Sequence, residues 1–151
     1  MILNYLDDIL SLNIPDMNIG ITSGCFDMIH VKHVQYLRRC KSKCSKLFVF
    51  VDSDELTLTN KKKLPIINEF DRVQMIDALG GIVDFAIILN KYEEIRSFCS
   101  YFKSSVVFKN SNSIYGSKVI DFGVSNHIIP DINHLQSTTE IKNYIKNEGS
   151  N

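Results

Sequence analysis

Two histidines three residues apart follow a glycine turn near the start of the chain. Residues 23–27 read SGCFD, and His30 and His33 come shortly after them. At this spacing two imidazoles lie on one face of a helix, with Cβ atoms roughly 5–6 Å apart. A helix N-terminus offers unpaired N–H groups and partial positive charge, so histidines there form a compact site for a polyphosphate. Solvated or capping histidines are the alternative, and the neighbouring Gly24 and Asp27 favour the phosphate site.

Two common phosphate-binding motifs are absent from the sequence. The chain has no G-x-x-x-x-G-K-[ST] motif, which excludes a P-loop of the Walker A type. Gly24 is the only glycine in its turn, whereas a dinucleotide fingerprint needs three. If the histidine segment binds phosphate, it therefore does so by a different kind of motif.

Alternating strand and helix patterns must position this segment. Near-continuous apolar runs such as KLFVFVD at 46–52 are typical of parallel strands that are covered on both faces. The patterns predict strands at 17–23, 46–52, 83–89, 105–109 and 127–130, and helices at 3–12, 31–43, 68–79, 91–103 and 137–146. The intervening segment 53–67 is polar and is expected to be a loop.

Five strands separated by helices predict an α/β fold with a five-stranded parallel sheet, a Rossmann-like three-layer sandwich. The chain is expected to form one domain over residues 1–151, in which 1–15 is an N-terminal helix extension and 147–151 a frayed tail. Ligands of such sheets bind at the carboxyl ends of the strands. The histidines, which follow the first predicted strand, lie at that edge.

Composition and charge narrow the classes of partner. The chain has 151 residues, with 17 Lys and Arg balanced by 17 Asp and Glu. A neutral chain lacks the overall field that holds nucleic acid or an anionic membrane surface, so neither partner is expected. Small anionic ligands need only a local cluster of cations and are still possible.

The cysteines and the N-terminal segment bear on the compartment. The chain has four cysteines, Cys25, Cys40, Cys44 and Cys99. Cys40 and Cys44 share a helical face but lack a second ligand pair at zinc-site spacing, so no structural zinc is expected. No secretory signal pattern opens the sequence, and no apolar run approaches membrane-spanning length. Four reduced thiols in the cytoplasm are the simplest interpretation.

The order of several motifs resembles a known superfamily. Residues 24–27 (GCFD) followed by His30-x-x-His33 resemble the nucleotidylyltransferases, whose signature is H-x-G-H. The resemblance runs from residue 17 to 146 and is closest to the heptose 1-phosphate adenylyltransferases and the glycerol-3-phosphate cytidylyltransferases. Further matching segments are VDSDE at 51–55, NEFDR at 68–72, VFK at 107–109 and STT at 137–139.

The resemblance implies transfer of a nucleotidyl group from a nucleoside triphosphate, ATP or CTP, to a small phosphorylated sugar or polyol. It implies Mg²⁺ held mainly by the phosphates, and a homodimer is possible. The catalytic residues would be His30, His33 and Lys109. The nucleotide and its phosphates would contact Ser23, Gly24, Cys25, Phe26, Lys61, Lys62, Lys63, Ser137, Thr138 and Thr139, with the lysines on a mobile loop. The acceptor substrate would contact Asp27, Asp54 and Arg72.

Some alternatives stay open. Lys32 stands where the signature has glycine, so a nucleotide-binding module without turnover is the second hypothesis. Single residues also have alternatives to ligand binding. These are a solvated run of charges at residues 61–63, a surface ion pair at Arg72, and a simple helix cap at residues 137–139. A flavodoxin-like or receiver domain is disfavoured, because the third predicted strand ends at Asn90 without a phospho-acceptor aspartate.

Overall fold

The computed structural model describes residues 1–4, 6–111, 122–130 and 137–149. Its strands are β1 Ile2–Leu3, β2 Ile19–Gly24, β3 Lys46–Asp52, β4 Phe85–Leu89, β5 Val106–Asn110 and β6 Ser125–Ile129. Its helices are α1 Leu6–Ser11, α2 Val31–Lys41, α3 Asp54–Lys61, α4 Glu69–Asp77, α5 Glu93–Tyr101 and α6 Thr138–Glu148.

The strands form one parallel sheet in the order β1-β4-β3-β2-β5-β6. The α/β, Rossmann-like architecture is as predicted, but the sheet has six strands rather than five. The additional strand is β1, in which Ile2 and Leu3 pair with Ala86 and Ile87 at the edge of the sheet. Two residues are too few to show the alternation of a strand, and the helix predicted at 3–12 included Leu3.

Helices cover both faces of the sheet, as the apolar runs require. On β3 alternate residues point to opposite sides, with Phe48 and Phe50 packed in one buried cluster and Val49 and Val51 in the other. The first cluster contains Phe98 of α5, and the second contains Leu37 of α2. The central strands are therefore held rigidly from both faces, and their carboxyl ends form a fixed platform.

The polar segment 53–67, predicted as a loop, contains helix α3. The Ser53 side chain accepts a hydrogen bond from the Leu56 N–H (3.1 Å), which caps the helix. Lys62 ends it in the left-handed conformation with φ of 56°. The segment is short and mostly polar, so it lacks the apolar stripe from which helices are usually predicted.

The last helix also differs from the prediction. It continues to Glu148, so the first residues of the predicted frayed tail are helical. Residues 150 and 151 of that tail lie outside the described residues. None of the helices in the described ranges is both long and apolar enough to span a bilayer.

The topology places one crevice at the middle of the sheet. Strand β2 pairs with β3 on one side and with β5 on the other, so the chain order reverses at β2. Ligands of open parallel sheets bind at such a reversal, outside the carboxyl ends of the strands. The segment that follows β2 contains both histidines.

Candidate functional site

A cavity of about 740 Å³ lies over the carboxyl ends of β2, β3 and β5. Most of the predicted site residues line it, although they come from distant parts of the chain. Those brought together are Ser23, Gly24, Cys25, Phe26, Asp27, His30, His33, Lys61, Lys63, Lys109, Ser137, Thr138 and Thr139. Lys62, Asp54 and Arg72 were predicted but do not line the cavity.

The two histidines form a stacked pair at the N-terminus of α2. Their ring centroids are 4.0 Å apart and the ring planes are inclined by 27°. His30 occupies the N-cap position, and its N–H donates to Nδ1 of His33 at 3.3 Å. Because Nδ1 of His33 accepts, the proton of the neutral ring is on Nε2, which makes that atom a donor.

Both rings are held in the neutral form. Burial, the neighbouring His30 and Lys61 lower the pKa of His33 to about 3. Burial, followed by the charge of Lys32, also lowers the pKa of His30. At neutral pH these side chains therefore act as neutral hydrogen-bonding groups rather than as cations.

The N-terminus of α6 meets that of α2 across the cavity. Nε2 of His30 and the Thr138 hydroxyl lie 3.0 Å apart, and this hydroxyl donates to the Asp27 carbonyl at 2.9 Å. Ser137 caps α6 by accepting from the Glu140 N–H. Two helix N-termini thus face one cavity, and both favour negative charge. The Ser137 side chain thus serves as a helix cap, whereas the Thr138 hydroxyl links α6 to the start of α2 through His30 and Asp27.

Asp27 anchors this junction through its carboxylate. The group is buried and accepts from the N–H groups of Ile66 and Ile67, and from the Lys142 ammonium at 2.8 Å. Burial raises the pKa of Asp27, but the hydrogen bonds from Lys142, Ile66 and Ile67 outweigh it, and the net shift is downward. Asp27 is therefore an ionised link between three segments, and its carboxylate is already bonded within the chain.

Arg72 is an internal residue and does not face the cavity. Its side chain is 1% exposed, and the guanidinium donates to the carbonyl oxygens of Ile67, Cys25 and Asp52 and to the carboxylate of Asp54. The expectation of a guanidinium available to substrate, or of a surface ion pair, is therefore wrong. Arg72 instead fixes the ends of β2 and β3, and Asp54 serves as its partner.

The predicted lysines take different positions. Lys61 lies at the end of α3 and Lys63 follows it, and both line the cavity, whereas Lys62 forms the C-cap. The mobile loop predicted for these three residues is thus partly helical. Lys109 lies near the end of β5 with its Nζ 5.9 Å from the centroid of the Phe122 ring, and burial lowers its pKa.

Several cavity residues were not predicted. Lys142 lies one turn beyond Thr138 on α6. Asp52 is the last residue of β3, a position similar to that of Lys109 near the end of β5. The rule that singled out Lys109, a polar residue at the carboxyl end of a buried strand, applies equally to Asp52. Thr57 and Tyr92 carried no comparable signal in the sequence.

A family comparison agrees with this arrangement. Residues 21–113 match the family model described as cytidylyltransferase-like. The chain belongs to the cytidylyltransferase-like family. The predicted resemblance is therefore confirmed at the level of the family, and the matched range includes the histidine pair of α2 and Lys109 of β5.

Curated relatives of this cytidylyltransferase-like chain carry the name bifunctional protein HldE. The protein from Desulfatibacillum aliphaticivorans is 28% identical over 135 residues, covering 85% of this chain and 27% of that protein. The one from Campylobacter fetus is 30% identical over 146 residues, covering 93% and 31%. The chain thus spans less than a third of the length of these relatives.

Solved structures share the cytidylyltransferase-like fold. The lipopolysaccharide core biosynthesis protein from Thermoplasma volcanium has a TM-score of 0.61 and 25% identity, with 77% of this chain and 97% of that chain covered. Pantothenate synthetase from Thermus thermophilus has a TM-score of 0.60 at 12% identity, with 93% of this chain and 70% of that chain covered. The second likeness concerns the fold alone.

Proposed function

We propose that this chain is a nucleotidylyltransferase that transfers a nucleoside monophosphate from ATP or CTP to a phosphorylated sugar or polyol. The observation that carries the proposal is the stacked pair His30 and His33 between the N-termini of α2 and α6. Such a site suits a triphosphate, because the two helix N-termini and Nε2–H of His33 offer N–H donors without a fixed positive charge on the imidazoles, while Nε2–H of His30 is used by the Thr138 hydroxyl. The relatives named HldE and the lipopolysaccharide core biosynthesis protein agree with a sugar-phosphate acceptor.

In the proposed reaction an oxygen of the acceptor phosphate attacks the α-phosphorus. A new P–O bond forms, the bond from the α-phosphorus to the bridging oxygen breaks, and pyrophosphate leaves. Catalysis then depends on alignment and on neutralising charge on the phosphate oxygens. Nε2–H of His33 would donate to the reacting phosphate, while Lys61, Lys63 and Lys109 offset the charge of the phosphates.

Mg²⁺ fits this site as an ion carried by the triphosphate. Among the described residues, no group of three or more His, Cys, Asp or Glu side chains could hold a metal ion. Asp27, the acid nearest the histidines in sequence, already accepts hydrogen bonds from Ile66, Ile67 and Lys142. Mg²⁺ usually keeps several waters and binds through substrate phosphates, where it would neutralise charge.

The test is pyrophosphate release with Mg²⁺, using ATP or CTP against hexose and heptose 1-phosphates and glycerol 3-phosphate. We expect one nucleotide and one acceptor class to give turnover. Calorimetry with the same triphosphates separates binding from catalysis. Turnover absent across the panel with binding retained would instead support the second candidate, a nucleotide-binding module, which the presence of Lys32 in the cavity lining favours.

A further inference from the structure

One carboxylate in the cavity has no part in the phosphate site. Asp52 ends β3, lines the cavity and is 7% exposed. Its Oδ1 is buried, and no hydrogen bond reaches that atom within the described part of the chain. Buried polar atoms are normally hydrogen-bonded, so an unpaired one at the wall of a cavity indicates a group that a ligand completes.

The surroundings of Asp52 differ from those of the histidines. The histidines follow β2 and face α6, whereas Asp52 lies on the neighbouring strand β3, which leads into α3. Thr57 and Lys61 of α3 and the Tyr92 side chain line the cavity together with Asp52. The histidines thus lie over β2, and over β3 the cavity presents one carboxylate and two hydroxyl groups, while Lys61 is close enough to affect the pKa of both His33 and Asp52. The Thr57 hydroxyl donates to Sγ of Cys25, and the Tyr92 hydroxyl accepts from the Asn60 side-chain amide, so the Asp52 carboxylate is the group of the three without a partner at one of its atoms in the described part of the chain.

Chemistry limits what the part of the cavity over β3 can bind. An ionised carboxylate accepts hydrogen bonds and donates none, and it repels a phosphate. It therefore favours ligand groups that carry O–H or N–H. Together with the proposed phosphate site over β2, this arrangement suits an acceptor that has a phosphate at one end and hydroxyl groups at the other.

We propose that Asp52 is the residue that reads the hydroxyl groups of the acceptor, so that the site selects sugar or polyol phosphates over phosphates without hydroxyls. This inference rests on the proposed function and assigns one residue to the acceptor specificity of that function. A role in holding Mg²⁺ is less favoured, because Asp52 belongs to no group of three possible metal ligands among the residues described. The two roles predict different results.

The experiment compares matched probes by calorimetry, with Mg²⁺ and a saturating α,β-methylene analogue of ATP or CTP. Hexose 1-phosphate and glycerol 3-phosphate are the hydroxylated probes, and cyclohexyl phosphate and propyl phosphate are their counterparts without hydroxyls. The proteins are the unaltered chain, Asp52→Leu, which removes the acceptor atoms, and Asp52→Asn, which removes only the charge. Asp7→Asn serves as the matched control, because Asp7 is exposed and lies outside this cavity.

We expect the unaltered chain and Asp7→Asn to bind at least one hydroxylated probe about tenfold more tightly than its counterpart. This preference should fall below about threefold in Asp52→Leu and to an intermediate value in Asp52→Asn. Should Asp52→Leu fail to fold, a reduced preference in Asp52→Asn still supports the assignment.

Three results would overturn it: no preference in the unaltered chain, an unchanged preference in the Asp52 variants, or a loss of affinity for the Mg²⁺-bound triphosphate analogue alone, which would place Asp52 at the nucleotide or its Mg²⁺ rather than at the acceptor. Pyrophosphate release is measured separately on the unaltered chain. If the probe preference is present but no pyrophosphate is released, the transferase proposal fails and the role of Asp52 in binding is retained.

Discussion

At the residue scale, the neutral state of His33 means that its expected contribution to catalysis is a hydrogen bond from Nε2–H rather than a positive charge. We expect His33→Ala to lower kcat/KM for pyrophosphate release by a factor equivalent to at least about 2 kcal/mol, because a donor to the reacting phosphate is lost. The control is His127→Ala, since His127 is exposed on β6 and outside the cavity lining. An unchanged rate in His33→Ala, with activity in the unaltered chain, would remove His33 from the mechanism.

Lys32 belongs to the same helix start and lines the cavity. Its charge adds to the positive field that lowers the pKa of His30. We therefore expect Lys32→Gly to weaken triphosphate binding about three- to tenfold, as the loss of one cation near phosphates would. Lys32→Met, which keeps the length of the side chain, should weaken it similarly. Tighter binding in Lys32→Gly but not in Lys32→Met would mean that Lys32 obstructs the nucleotide.

The unpaired carboxylate of Asp52 also affects stability. Burial raises its pKa to about 6, so between about pH 4 and 6 the unfolded chain ionises this group before the folded chain does, and the resulting penalty on folding is complete above about pH 6. Asp52→Asn should therefore stabilise the fold by about 1–3 kcal/mol at pH 7.5. The gain should shrink as the pH falls from about 6 to about 4, where the carboxyl is protonated in both states. Urea unfolding at pH 4 and 7.5 measures this, and an equal effect at both values would contradict the penalty.

At the element scale, the sequence predicted strands that are buried on both faces and missed elements that lack such a signal. Strand β3 has the predicted bounds, and α2 begins at the predicted residue, Val31. Strand β1 and helix α3 were missed because one is too short and the other too polar for a periodic pattern. Arg72 was misjudged for a different reason, since most of its acceptors come from two distant segments, at Cys25 and at Asp52 and Asp54, and only the folded chain brings them together.

That network makes Arg72 the link between α4 and the ends of two strands. Arg72→Met should destabilise the fold by about 3 kcal/mol or more, because carbonyl groups of Cys25 and Asp52 and the Asp54 carboxylate lose their donor. Arg96→Met on α5 is the matched control, as Arg96 is exposed. Urea unfolding gives both values. Equal, small losses in the two variants would show that the buried network contributes little.

At the scale of the whole molecule, the cavity joins the two ends of the sequence. The ring of His30, the N-cap of α2, meets Thr138 of α6, 108 residues later in the chain. The Asp27 carboxylate also reaches Lys142 and the loop before α4. A triphosphate that binds between these elements would stabilise only the folded chain, in which they are adjacent.

We therefore expect ATP or CTP with Mg²⁺ to raise the melting temperature. At a hundredfold excess over Kd the stabilisation is about 2.7 kcal/mol, which corresponds to a shift of several degrees for a domain of this size. The corresponding nucleoside without phosphates is the control and should give little shift, because the proposed function assigns the N-termini of α2 and α6 to the phosphates. His33→Ala should reduce the shift produced by the triphosphate. If the nucleoside alone stabilised the chain as much as its triphosphate, the cavity would be recognising the base, and the phosphate assignment of the two helix N-termini would be wrong.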